Sequence, residues 1–85
     1  MTIVVHTSPE NHLVIIYGLF EDSEQVEINL STTTSNLVES VVALTKKYSV
    51  KKIVFLCPQS WGSYFIRNIQ KHDSAKFINF VIEEG

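Results

Sequence analysis

Hydrophobic and polar positions change their spacing from segment to segment, and each change marks an element. Thr2 to His6 is a short apolar run that stops at TSPEN, where Ser8, Pro9 and Asn11 are turn formers. His12 to Phe20 is a longer β-rich run, and the polar turn EDSE, residues 21–24, separates it from Gln25 to Leu30. In that last run Val26, Ile28 and Leu30 alternate with Gln25, Glu27 and Asn29, the period of a strand with one wet face. The three runs predict a meander.

STTTSN then offers hydroxyl and amide caps for a helix over about Ser35 to Tyr48. Leu37, Val41, Leu44 and Tyr48 form its apolar stripe, widened by Val38 and Val42. Ile53 to Leu56 is apolar at every position, which predicts a strand buried on both faces. A second helix is predicted from about Ser60 to His72, with Trp61, Phe65 and Ile69 on one side and Ser60 as its cap. HDSAK ends it, and Phe77 to Ile82 makes a last strand, with Phe77 and Val81 on one face and Ile78, Phe80 and Ile82 on the other. The reading is one α/β domain over residues 1–85. It has a single mixed sheet of about five strands in the order β-β-β-α-β-α-β, with two helices and two right-handed crossovers.

Composition narrows the function classes. Seven basic residues against nine acidic ones give a net charge of −2, which argues against a chain that lives on phosphate backbones. One cysteine makes no internal disulfide, and no cysteine and histidine stand at metal-ligand spacing, so neither a metal nor a cofactor is expected. The opening MTIVVHTS has no charged leader, and no apolar run approaches a membrane span, so the expectation is a cytoplasmic protein away from membranes.

At the level of element order the chain resembles the ribonuclease H-like superfamily. VVHTSPENHLVIIYGLF is similar to that superfamily's first hairpin, TSNLVESVVAL to the opening of the first helix in ribonucleases H, and IVFLCPQ lies where the next strand would end in Asp. The resemblance implies a ribonuclease H-like fold, with Glu39 at the place of the acidic helix residue. His6 stands at the place of the first-strand acid and Cys57 at that of the later one. Two-metal phosphoryl chemistry needs several hard oxygen ligands, which a His, Glu and Cys set does not supply. Glu39 also lies about 160° around its helix from Leu37 and Val41, towards water. No catalytic residue is assigned.

Three surface features remain. His6, Cys57 and Ser60 form a candidate site corner, in which Cys57 is either a thiolate activated by a helix N-terminus or a small hydrophobe ending a buried strand. Lys46, Lys47, Lys51 and Lys52 are a candidate nucleic-acid patch, with Trp61 and Tyr64 as stacking neighbours, or a solvated loop; Glu21, Asp22, Glu24 and Glu27 gather on the second hairpin. Trp61, Tyr64 and Phe77 are candidates for a protein interface, because two short helices leave apolar surface for a protein partner or a second copy to cover. The preferred expectation is a non-catalytic protein-binding module of adaptor or inhibitor type, the general character of small phage and mobile-element accessory proteins. A nucleic-acid binder with a degenerate ribonuclease H-like fold is the alternative.

Overall fold

Residues 1–8, 10, 12–20 and 25–84 are described by the structure, a computed structural model. Strands β1 (Thr2–Ser8), β2 (Leu13–Leu19) and β3 (Val26–Thr33) form the antiparallel meander. A 3-10 turn (Thr34–Asn36) leads into helix α1 (Leu37–Lys47), followed by β4 (Lys52–Leu56), α2 (Gln59–Ile69), a second 3-10 turn (Asp73–Ala75) and β5 (Asn79–Glu83). All five strands join one mixed sheet in the order β3-β2-β1-β4-β5, with β4 parallel to β1 and β5 parallel to β4. This is the α/β architecture that the hydrophobic pattern predicts.

Direction of travel decides where the helices go. From β3 the chain passes over β2 and β1 to reach β4, and from β4 it steps onward to β5. Two right-handed crossovers made in the same direction carry both helices over the same face, where α1 and α2 pack on each other. Ile3 and Val5 of β1, Val14 and Ile16 of β2, and Ile53 and Phe55 of β4 are fully buried beneath them. Their strand neighbours Val4, Ile15, Val54 and Leu56 point the other way and stay partly exposed. Ile53 to Leu56 is therefore buried on one face, not two: double burial needs helices on both sides, and both helices lie on one.

The core closes around aromatic rings. Phe55 stacks on Phe65 with centroids 6.2 Å apart, and Trp61 meets Phe65 edge-on at 6.3 Å. Helix α1 buries Leu37, Val41, Val42 and Leu44, and its one buried hydroxyl, Thr45, donates to the Val42 carbonyl at 2.7 Å and lies 2.8 Å from Ser74 Oγ. That bond ties α1 to the turn before β5. The amino ends of the strands are stitched as well, since Lys51 N–H donates to Met1 O and Asn79 N–H to Lys51 O, each at 3.0 Å.

Several boundaries differ from the sequence reading. Thr7 and Ser8 continue β1 because Val14 and Leu13 are across from them, and Ser31 to Thr33 continue β3 opposite Ile15 to Leu13. A partner strand's hydrogen bonds outweigh the local turn preference of these residues. The expected caps do not form: Thr33 and Asn36 make no side-chain cap, and Ser40 Oγ instead donates to Asn36 O at 2.8 Å. Helix α2 starts at Gln59 after Pro58, so Ser60 sits inside the helix. Phe77 precedes β5; Ile78 packs against the core while Phe77 turns outward, 95% exposed. Of the alternating trio on edge strand β3 only Ile28 is buried, lying over Gly18, while Val26 and Leu30 are exposed. The EDSE turn, with Glu21, Asp22 and Glu24, lies outside the described residues, as do Pro9 and Asn11.

Candidate functional site

The corner at the carboxyl end of β4 does not assemble as a reaction centre. Cys57 is 5% exposed and belongs to the core under the helices, whereas His6 is exposed on the opposite face of the sheet and Glu39 is exposed on the first turn of α1. Burial pushes the Cys57 thiol up, the nearby Glu84 carboxylate pushes the same way, and a hydrogen bond from the Gly62 backbone N–H pulls against them. Burial is the largest of these and the balance favours the thiol; the Glu84 carboxylate is held nearby by the start of α2, where Gln59 N–H donates to Glu84 Oε1 at 2.6 Å. Ser60 is exposed beside it. Among the described residues no three of His, Cys, Asp and Glu come together in a way that could hold a metal ion.

Above this corner lies an open groove of about 500 Å³, lined by Thr34, Ser35, Ser60, Trp61, Tyr64 and Phe65. Trp61 is half-buried and serves mainly as a wall of the core, while Tyr64 is 57% exposed and leans edge-on against Phe65 at 5.7 Å. Phe77 is not part of it. It sits just before the amino end of β5, at the other end of the molecule from the start of α2, so the three aromatic candidates do not make one surface.

The lysines are also divided. Lys46 and Lys47 leave the last turn of α1 on the helix side, with the Lys47 ammonium 5.4 Å from the centre of the Tyr48 ring. Lys51 precedes β4, and Lys52 points from β4 to the opposite face. The stacking partners expected beside them, Trp61 and Tyr64, are instead near the start of α2, towards the carboxyl end of β4.

The other unpartnered surface is the face of the sheet over which, among the described residues, no helix packs. Cross-strand register lines up Asn29, Tyr17, Val4, Val54 and Val81 in one row. Ser31, Ile15, His6, Leu56 and Glu83 form the next row towards the carboxyl ends, and Leu19, Thr2, Lys52 and Asn79 the row towards the amino ends. The centre is apolar and the rim is mixed: Lys52, Asn79, Glu83, Asn29, Ser31 and Thr33 are polar or charged, while Leu13 and Leu19 carry the apolar surface out to the ends of β2.

This face was only half legible in the sequence. Surplus apolar area is evident from composition, but residues such as Val4, Tyr17, Val54 and Leu56 become a surface only when both crossovers are known to run the same way. The Glu84 contact with the start of α2 had no local signal, since it comes from a residue 25 positions away. Searches against family models, curated proteins and solved structures return no match to the chain. Among the described residues no helix is long and apolar enough to cross a membrane.

Proposed function

We propose that the protein is a non-catalytic protein-binding module that works through the open face of its sheet. The observation that carries this reading is the row Tyr17, Val4, Val54 and Val81, apolar and partly exposed, in the middle of a face that no helix covers. Apolar area of this kind is stabilised by being removed from water, at about 25 cal/mol per Å². The chemistry of the corner agrees, since Cys57 is held as a buried thiol and His6, Glu39 and Cys57 are apart.

The ribonuclease H-like relationship remains part of this proposal at the level of element order: a scaffold of that kind without the carboxylates that its chemistry needs. The nucleic-acid alternative has less support, because Lys46 and Lys47 lie on the helix side and Lys52 on the open face, and their expected stacking residues are elsewhere.

The test is capture of partners by tagged wild type, by Val54→Lys, and by a variant with Lys46, Lys47 and Lys51 changed to Glu, each with and without nuclease. A protein retained after nuclease treatment, lost with Val54→Lys and kept with the lysine variant, is the expected result. Capture that vanishes with nuclease and with the lysine variant overturns the reading in favour of nucleic acid.

A further inference from the structure

Resting on the reading of the open face as a protein-binding surface, we infer that its partner is a second copy of this chain, stacked face to face. Lys52 and Glu83 both point to the open face, from neighbouring strands, and both are exposed. Lys52 is registered with Asn79, four residues before Glu83, so the two charges stand about 13 Å apart along the strands and do not pair within one chain.

A two-fold axis lying between two such sheets and running across the strands removes that separation. It leaves the middle row on itself, Val4 against Val4, Val54 against Val54 and Val81 against Val81. It exchanges the outer rows, so Lys52 of one copy stands over Leu56 of the other, one strand away from the second copy's Glu83. The contact occurs twice by symmetry. His6 faces Thr2 across the same interface. An axis running along the strands, by contrast, sends β5 towards β3 and brings neither charge near its opposite.

The size of the face sets the expected strength. Five strands about 4.8 Å apart with about 17 Å of paired length make a face of roughly 400 Å². Two of them stacked about 10 Å apart bury about 800 Å² in all, below the about 1,000 Å² of a stable specific interface and in the range of a weak one. The association is therefore a concentration-dependent equilibrium between monomer and dimer, with an apolar centre and two ion pairs that fix its orientation.

Sedimentation velocity on the full chain, from micromolar to several hundred micromolar, tests it with four proteins: wild type, Lys52→Glu, Glu83→Lys and the double reversal. Both positions are exposed, and circular dichroism checks that each variant folds. Wild type dimerises; each single reversal puts like charges together twice and weakens the dimer by about tenfold, and the double reversal restores it. Wild type that stays monomeric throughout overturns the second copy as partner. Dimerisation indifferent to all three variants overturns this face-to-face geometry. The broader reading is separable: if the chain is monomeric yet a captured protein is lost with Val54→Lys, the face still binds a partner, and if that capture is unaffected the face reading falls too.

Discussion

Gly62 offers the sharpest test of the packing between α2 and β5. A Cβ added there would stand 2.7 Å from both Cδ1 and Cγ1 of Ile82 and 3.0 Å from its Cγ2. Carbon atoms prefer about 3.5–4.0 Å, so both arms of a β-branched side chain are too close, and turning one away brings the other in. The helix must then lift from the strand, at an overpacking cost of about 1–3 kcal/mol. Against this, alanine gains about 1 kcal/mol over glycine inside a helix. Gly62→Ala in the wild-type background is expected to destabilise by about 1 kcal/mol net. In an Ile82→Ala background the obstacle is gone, and the same substitution should stabilise by about 1 kcal/mol. Urea unfolding of the four proteins gives a coupling of about 2 kcal/mol between the two sites. Gly62→Ala raising the stability of the otherwise wild-type chain would refute the reasoning, because it would mean that α2 does not rest on Ile82.

Other substitutions probe the buried polar groups and the helix end. Thr7 is 5% exposed and its Oγ1 has no hydrogen-bond partner among the described residues, so Thr7→Val should raise stability by about 1 kcal/mol in the same urea assay. Cys57 keeps its proton to higher pH in the folded chain than the ordinary thiol value of 9.0; its contribution is intact below that pH and declines above it. The stability difference between wild type and Cys57→Ala should therefore shrink as pH rises past about 9, and a disulfide reagent at neutral pH should react slowly until denaturant is added. Glu84→Ala removes the carboxylate on Gln59 N–H and should cost about 0.5–1 kcal/mol, with Glu84→Gln recovering part of it.

The elements were legible because their apolar residues recur at the right period: Leu37, Val41 and Leu44 one helix, Trp61, Phe65 and Ile69 the other, and β-branched runs the strands. Their ends were less so. Ser31, Thr32 and Thr33 have the chemistry of caps and turns, yet the ladder with β2 holds them extended, and that ladder is a tertiary fact. The same limit hid the candidate surface. An apolar residue at every position of Ile53 to Leu56 reads as double burial; only the sheet order shows that one side has no layer to cover it. The apolar run Phe77 to Ile82 reads as one strand, but after the turn at Asp73–Ala75 the ladder begins two residues later, at Asn79, with Ile78 inward.

The place of β1 in the sheet also has a bearing on how the chain reaches this state. Its first strand is the central one: Ile3 pairs with Gly18 on one side but with Ile53 on the other, fifty residues onward. The meander closes through short loops, whereas the second edge of β1 waits for a long closure, the kind of non-local pairing that slows folding. On a ribosome adding about 5–20 residues per second, that edge stays open for seconds before β4 emerges. Its unpaired N–H and C=O groups are flanked by Ile3, Val4 and Val5, the kind of open apolar edge on which another chain can pair. With only 11 residues α1 is marginal by itself, so that edge is covered when α1 and β4 dock on the meander together, and the half of the sheet made first is completed by the half made last.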